Sequence, residues 1–336
     1  MARVSDEATA EVAIWRLYTC LGPRLFSSIP DDKLAATLQE FAGLSGLSGR
    51  IADIKRDMIQ VERLRALPAV AQRSQEWFDL RKERLTASDA FKALTNNRSR
   101  DALVRSKAFP EQAKFINSVA TEWGKTFEPM ALRVYRARRG DIVVHEFGLI
   151  PHPTLTCFGA SPDGISDIGV MIEIKCPWTR EIKPGYIPEY YEVQMQGQLA
   201  VCGLTQCDYI ECKFVPNRTI GKYIEQANKC QSRSDYGVFI KGQFSEPGLT
   251  PEETVEWARG VADISGLDIA TSYATAPHEI SEGLILWTLD RIQIQRVTFD
   301  PRRWEDMVPK FEKFWADVVD ERTLKKHKVD FVDDDD

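Results

Sequence analysis

The sequence predicts an α/β or α+β domain with a mixed β-sheet, preceded by a helical region. Two observations lead to this fold class. Short β-branched and apolar segments alternate with amphipathic helical segments between residues 142 and 318. Before residue 70, by contrast, apolar residues recur only at helical spacing. The strands and helices are therefore expected to form one core, with an all-helical extension at its N-terminal side.

Residues 1–70 form the predicted helical accessory region. One helix is expected to begin at Pro30, followed by two aspartates that suit a first turn. A second stripe of apolar residues stops near Pro68. The apolar faces of the two helices consist of Leu34, Leu38, Phe41, Ile51, Ile54, Met58 and Val61.

From Ser74 the pattern changes to that of the predicted core. RSQEWFDLRKERLTASDAFKAL predicts two short helices, and a long helix is expected over residues 110–139, ending at Gly140. The remaining segments are predicted strands at about 142–150, 156–160, 170–175 and 206–215, a helix through EYYEVQMQGQLAVCG, a strand pair at 284–299 and a closing helix in PRRWEDMVPKFEKFWADV. We divide the chain into the accessory region (1–70), a main domain (71–324) with an insertion at about 227–281, and an acidic tail (325–336).

Composition excludes several classes of protein. The chain of 336 residues is 43% hydrophobic and 28% charged, which is ordinary for a soluble globular protein. Its net charge of -6 comes mostly from Asp330 and Asp333–Asp336, so the charge neither requires nor excludes a nucleic-acid partner. Seven cysteines without a C-x-x-C motif indicate reduced thiols. With a polar N-terminus and no long apolar run, we expect an intracellular protein of the cytoplasm or nucleus, neither secreted nor membrane-bound.

An acid and a base interrupt the apolar run in GASPDGISDIGVMIEIKCPW, residues 159–178. In a strand, Glu173 and Lys175 share one face, and a hairpin through Gly164–Gly169 would bring Asp163 beside them. Carboxylates suit Mg²⁺, which prefers oxygen ligands and keeps several waters, and a lysine can orient or deprotonate an attacking water. The group therefore suits Mg²⁺-dependent phosphodiester hydrolysis, although E-I-K alone also fits a solvated strand face.

Other polar residues accompany this group. Glu128 lies beside the apolar stripe of its helix, where it is either a third metal ligand or an ordinary surface glutamate. Gln194 and Gln196 lie in an apolar helix, where buried amides need partners unless they only face solvent. A basic run that includes Arg81, with Ser88 at a helix start, fits either an anion site or a solvated helix.

Taken in order, these segments resemble the YqaJ-type viral recombinase family, which includes phage lambda exonuclease and the alkaline exonucleases of large DNA viruses, within the PD-(D/E)xK nucleases. The resemblance runs from about residue 71 to 320. It rests on EWFDLRKERLTAS, WGKTFE, GASPDG followed by IEIKCP, the Q-M-Q helix and a closing helix with an F-W pair. It implies a restriction-endonuclease-like core, with a central mixed sheet flanked by helices.

The resemblance also implies a set of active-site roles. Glu128, Asp163, Glu173 and the carbonyl of Ile174 would bind Mg²⁺, for which Mn²⁺ should substitute. Lys175 would serve the nucleophilic water, and Gln196 would hold the scissile phosphate region. One departure concerns a further acid that lambda-like members carry before S-P-D-G, where this chain has His152 and Pro153.

A second set of roles concerns the DNA end. By the same resemblance, Arg81, Ser88 and Ser161 would form a pocket for a 5′-phosphate. The implied reaction is 5′ to 3′ degradation of one strand of linear double-stranded DNA, leaving a 3′ overhang for an annealing recombinase in recombination or repair. Such proteins are virus- or phage-encoded, and small phage members form ring-shaped trimers, so the oligomeric state here stays open. Two alternatives remain at this point: a structure-specific endonuclease with the same metal site, and a catalytically silent DNA-binding protein.

Overall fold

A mixed seven-stranded sheet flanked by helices lies at the centre of the protein, as the sequence predicts. The computed structural model describes residues 2–68, 70–112, 118–240, 242–262 and 283–333. The strands are β1 (Leu85–Thr86), β2 (Val144–His145), β3 (Ile150–Pro151), β4 (Phe158–Ala160), β5 (Gly164–Ser166), β6 (Met171–Lys175), β7 (Gln206–Asn217), β8 (Tyr236–Ile240), β9 (Gln243–Phe244) and β10 (Leu284–Thr298).

Helices cover both faces of the sheet. They are α1 (Ala2–Leu21), α2 (Pro23–Ser28), α3 (Asp31–Ala42), α4 (Ser48–Arg65), α5 (Gln75–Lys82), α6 (Ala90–Leu94), α7 (Arg98–Ala108), α8 (Val119–Arg138), α9 (Glu189–Cys202), α10 (Ile220–Ala227), α11 (Pro251–Ala262) and α12 (Pro301–Asp333). Within the described residues, no helix has both the length and the apolar character of a membrane span.

The order of strands in the large sheet is β2-β5-β6-β7-β10-β8-β9. Among the described strands of this sheet, β6 and β7 run parallel and the other neighbours run antiparallel. Helix α9 makes the crossover between the parallel pair, which places it over the face of β6. A smaller sheet, β1-β4-β3, lies beside the large one.

The hairpin predicted through Gly164–Gly169 is confirmed. Gly164 pairs with Ile172 and Ile165 with Met171. Gly169 has a φ of 80°, and a Cβ there would lie 2.3 Å from the Cβ of Asp57, so the turn requires glycine. Both faces of β6 are covered: Ile172 belongs to one core cluster and Met171 to the other. The alternative of a solvated strand face is therefore wrong.

Three predicted elements differ in detail. The helix expected over 110–139 begins at Val119, where the Oγ of Ser118 accepts a hydrogen bond from the Thr121 amide, and residues 113–117 lie outside the described residues. The strand pair expected at 284–299 is one long strand, β10. Its residues 284–288 pair with β8 of the insertion, and its residues 286–298 pair with β7. Residues 263–282, which include the end of the insertion predicted at about 227–281, lie outside the described residues.

The accessory region is helical, as predicted, and comprises α1 to α4. Leu34 and Leu38 are buried, but Phe41 is 81% exposed, so the apolar face of α3 is narrower than its sequence indicates. At the other end of the chain, α12 continues to Asp333, into the segment interpreted as an acidic tail.

A buried ionic network fastens the accessory region to the sheet. Glu11 of α1 accepts hydrogen bonds from Arg50 (2.6 Å) and from Arg296 of β10. Arg296 also donates to Asp208 of β7 (2.7 Å), which accepts a second bond from the Tyr135 hydroxyl (2.9 Å). Burial would raise the pKa of Glu11, but Arg296 and Arg50 outweigh it and lower this pKa to about 2.

We expect Glu11→Gln to lower the free energy of unfolding by about 3 kcal/mol at pH 7, because it leaves two buried guanidinium groups short of a counter-ion. Since the folded pKa of Glu11 lies below its ordinary value of 4.5, its contribution is complete above that pH and is lost as the pH falls toward 2. Urea unfolding at pH 7 and at pH 3 should show the gap between wild type and variant shrinking. Glu62→Gln, in an exposed pair with Arg65, is the control and should cost under about 1 kcal/mol. An equal effect of the two substitutions would contradict this role of Glu11.

Candidate active site

A cleft of ≈ 520 Å³ opens beside the β5–β6 hairpin. Glu128 of α8, Asp163 and Ile174 line it, together with the connector between α4 and α5. The connector, α8 and the segment before β3 supply the other walls of the cleft, which are Val70, Ala71, Gln72, Arg73, Pro129, Leu132, Glu146, Phe147 and Gly148. Three of the four residues predicted to bind the metal thus line one cleft.

Asp163 lies at the base of the hairpin, immediately before β5. Its Oδ2 accepts a hydrogen bond of 2.7 Å from the backbone amide of Ile174, which fixes the carboxylate against β6. Burial, followed by the charges of Glu173 and Glu128, raises the pKa of Asp163 well above its ordinary value. The cleft therefore concentrates negative charge that lacks a full complement of cations.

Glu173 is fully buried under α9, and side chains of that helix hold both of its oxygens. Gln194 donates to Oε1 and Gln198 to Oε2, each at 2.7 Å. Lys175 also donates to Oε1. Two amides and an ammonium thus orient one carboxylate, as a preorganised ligand requires.

Lys175 reaches from β6 toward the same carboxylates, with 22% of its side chain exposed. Its Nζ lies 4.8 Å from the centre of the Tyr191 ring. Burial would lower the pKa of Lys175, but the charges of Glu173 and Asp163 outweigh it and raise the pKa above its ordinary value. The ammonium form is therefore favoured, which suits a charged hydrogen-bond donor.

Glu128 faces the cleft from α8, where Trp123 and Phe127 are buried as expected. Its Oε2 lies 3.1 Å from Nη2 of Arg73, and 32% of its side chain is exposed. Burial raises the pKa of Glu128 despite the nearby positive charge of Arg73.

The donor set of this site fits a hard divalent cation. Three carboxylates from three elements approach one another closely enough for their charges to interact. In the described part of the chain, however, no three His, Cys, Asp or Glu side chains are gathered tightly enough to bind a metal ion. Oxygen ligands of this kind suit Mg²⁺ or Mn²⁺.

Gln196 does not face these carboxylates. Its Nε2 donates to the carbonyl of Thr298 (2.9 Å), and its Oε1 accepts from the amide of Asp300 (2.7 Å). Gln194 and Gln198 are four residues apart and so share the helix face toward Glu173, whereas Gln196 points elsewhere. The structure thus places Gln196 at the junction of β10 and α12 rather than in the cleft.

The three residues predicted to bind a 5′-phosphate lie together. Arg81 Nη2 lies 3.3 Å from the Ser88 Oγ, and its guanidinium stacks 4.4 Å from the centre of the Trp77 ring. The indole Nε1 of Trp77 donates to the Ser161 Oγ at 3.0 Å. Trp77, which sequence reasoning did not select, therefore connects the two sides of this pocket.

A buried lysine supports the same pocket. Lys107 of α7 donates to the carbonyl of Arg81 at 2.8 Å. Burial lowers the pKa of Lys107 to about 8. Asp89 lies beside the pocket with Lys92 at 2.9 Å, and its pKa is lowered because Lys107 and Lys92 outweigh the effect of burial. Asp89 is thus ionised beside the pocket, where Lys107, Lys92 and Arg81 all interact with its charge.

His152, at the position where lambda-like members carry a further acid, has a local structural role. Its Nδ1 accepts hydrogen bonds from the amides of Thr154 (3.2 Å) and Leu155 (3.0 Å). Its ring stacks on Trp304 of α12, with centres 5.4 Å apart.

Comparisons with known proteins identify a domain family and a curated relative. Residues 76–207 match the model of the YqaJ-like viral recombinase domain. An uncharacterized protein of Acanthamoeba polyphaga mimivirus is 23% identical over 310 residues, a match that covers 76% of this chain and 54% of the viral protein. The chain thus spans about half the length of that curated relative.

The chain shares its fold with one solved structure and is similar to a second. The alkaline exonuclease LHK-Exo from Laribacter hongkongensis is similar with a TM-score of 0.50 and 23% identity, over 77% of this chain and 100% of that one. A phage-related exonuclease from Haemophilus somnus gives a TM-score of 0.41 and 12% identity, over 73% of this chain and 96% of that one.

The restriction-endonuclease-like core expected from the sequence is confirmed by the mixed sheet and by the fold shared with LHK-Exo. Over residues 76–207, the resemblance to the YqaJ-type viral recombinase family is confirmed.

Proposed function

We propose that the protein is a Mg²⁺-dependent exonuclease that degrades one strand of linear double-stranded DNA from its 5′ end and leaves a 3′ overhang. One observation supports this most strongly: a carboxylate cluster with an adjacent lysine, and a separate basic pocket built on Arg81, occur in one domain. The carboxylates and the lysine suit phosphodiester hydrolysis, and the basic pocket suits the phosphate at the end of a DNA strand.

Glu128, Asp163 and Glu173, with the carbonyl of Ile174, would hold the metal. The ion would polarise the scissile phosphate and activate the attacking water. Gln194 and Gln198 keep Glu173 oriented, so that this ligand needs no rearrangement of its own.

Lys175 would act as a charged donor to the attacking water or to the phosphate. Its raised pKa favours this role over that of a base, and a fixed ammonium offsets the charge that develops on the phosphorus oxygens. The water oxygen forms a bond to phosphorus while the bond from phosphorus to the 3′ oxygen breaks. The released nucleotide keeps its 5′-phosphate, and the shortened strand again begins with a 5′-phosphate.

The Arg81 pocket would receive that terminal phosphate. A terminal phosphate carries more charge than an internal diester, and a guanidinium with two hydroxyls, from Ser88 and Ser161, suits it. Trp77 holds Arg81 and Ser161 in place. Because each cut regenerates the same end, the pocket would favour removal of successive nucleotides from one strand.

The product suggests the partner. A 3′ single-stranded overhang is what a strand-annealing recombinase binds, so we infer such a partner in recombination or repair. The viral recombinase domain and the mimivirus relative support a virus-encoded protein that acts inside the cell. The oligomeric state stays open, and the ring-shaped trimer of small phage members is one assembly to test.

We expect the purified protein to shorten linear duplex DNA with Mg²⁺, to be inactive with EDTA, and to leave closed circles intact. Lys175→Ala should reduce cleavage on the order of 100-fold or more, because a preorganised charge is lost from the reacting phosphate. Lys229→Ala, which removes an exposed lysine paired with Glu225, is the control and should cut normally. Near-normal cleavage by a folded Lys175→Ala variant would contradict the site, and rapid nicking of circles would favour the structure-specific endonuclease.

The choice of DNA end tests the second pocket. Wild type should cut a 5′-phosphorylated duplex faster than its 5′-hydroxyl counterpart, and in Arg81→Ala the two rates should become equal and low. Cleavage rates on duplexes labelled at the 5′ or the 3′ end of the degraded strand measure both the preference for a 5′-phosphate and the direction of degradation. The control is Lys82→Ala, on the same helix but paired with Asp79 at the surface, which should keep the preference. A wild type indifferent to the terminal phosphate would contradict the role of Arg81.

A further inference from the structure

Arg73, in the connector that lines the cleft, has an unusual backbone conformation. Its φ is 65°, and among the described non-glycine residues only Arg73 and Asp141 have a positive φ. The left-handed region costs a residue with a Cβ about 1–2 kcal/mol, and glycine or asparagine usually occupies it. The backbone of Arg73 is therefore strained relative to that of a glycine in the same position.

The connector leaves the backbone of Arg73 little freedom to relax. The side-chain Nε2 of Gln72 donates to the backbone carbonyls of Phe147 (2.8 Å) and Pro162 (3.1 Å), on two sides of the cleft. The Val70 carbonyl lies so close to Gly148 that a Cβ there would meet it at 1.7 Å. Ser74 then begins α5 by accepting a hydrogen bond from the Trp77 amide. These contacts aim the side chain of Arg73 into the cleft.

The partner of that side chain is a predicted metal ligand. Nη2 of Arg73 lies 3.1 Å from Oε2 of Glu128, with 49% and 32% of the two side chains exposed. A pair this open to water contributes under about 1 kcal/mol to stability, which does not offset the backbone strain. Stability alone therefore does not account for Arg73.

The carboxylates around the cleft carry more negative charge than the nearby lysine can neutralise. When ionised, Glu128, Asp163 and Glu173 exceed what Lys175 can neutralise, and Arg73 makes up part of the deficit. A divalent cation on the carboxylates would make up the deficit by itself and leave Arg73 without an anionic partner. The next anion to enter the cleft is then a DNA phosphate.

We propose that Arg73 is an exchangeable cation of the active site, which pairs with Glu128 until a metal binds and then donates to a non-bridging oxygen of the scissile phosphodiester. The inference rests on the proposed function for its substrate. A guanidinium suits this transfer because its planar N–H groups fit carboxylate and phosphate oxygens equally well. Arg73 is thus both a competitor of the metal and a contact of the substrate.

Arg73→Asn tests the exchange, because asparagine tolerates the positive φ and lacks the charge. Titration calorimetry without DNA should show Mg²⁺, and Mn²⁺ in a parallel series, binding up to about fivefold more tightly than in wild type, since a competing ion pair is lost. Cleavage of a 5′-phosphorylated duplex at saturating metal should nevertheless fall on the order of 100-fold. Arg73→Lys keeps a cation and should bind metal as wild type does, with an intermediate rate.

The opposite signs of the two effects separate this role from a structural one. Arg65→Asn, at an exposed arginine paired with Glu62, is the control and should change neither quantity. Metal affinity that is unchanged or weaker in Arg73→Asn, or a cleavage rate near that of wild type, would overturn the proposal. A joint fall in melting temperature, metal affinity and rate would make Arg73 a structural residue. A wild type that binds metal but cuts no DNA would refute the proposed function and the phosphate contact, while the calorimetric comparison would still decide the competition.

Discussion

The crowding of carboxylates at the β5–β6 hairpin is the constraint on which the rest of the site depends. Asp163 is held against the Ile174 amide at 2.7 Å, and Glu173 lies fully buried on the same strand. Bringing such charges together in a partly dry cleft is unfavourable unless cations compensate for them. Lys175 and Arg73 supply part of that compensation, and the raised pKa of Asp163 marks the part that is missing. In the proposed function, a divalent metal completes the balance.

The fold supplies the rigidity that this crowding needs. Glycine at 169 permits the tight turn, and the parallel pairing of β6 with β7 requires a crossover helix, which covers Glu173 and supplies Gln194 and Gln198. The accessory region contributes at a distance, because its ionic network through Glu11 and Arg296 ties α1 to β10. Its connector then delivers Arg73 to the cleft.

Local patterns in the sequence were sufficient to predict the residues at the centre of the site. They could not predict contacts between residues that are far apart in the chain. Asp163 and Glu173 could be placed together because strand alternation and a Gly-bounded turn are local properties. The roles of Gln196 and Gln198 depend on how α9 is rotated over the sheet, which a generally apolar helix does not reveal. Trp77 finds its partner Ser161 far along the chain, and the single long β10 depends on β8 of the insertion. The left-handed conformation of Arg73 has no sequence signal, since arginine is not typical of it.

The central claim is that these carboxylates hold a divalent metal in the cleft. Anomalous diffraction from crystals grown with Mn²⁺ tests it most directly, because it locates the ion without relying on activity. We expect a manganese peak bounded by Glu128, Asp163 and Glu173, with the Arg73 side chain turned away from Glu128. A peak elsewhere, or a cleft that keeps the Arg73–Glu128 pair and shows no manganese at millimolar concentration, would contradict it.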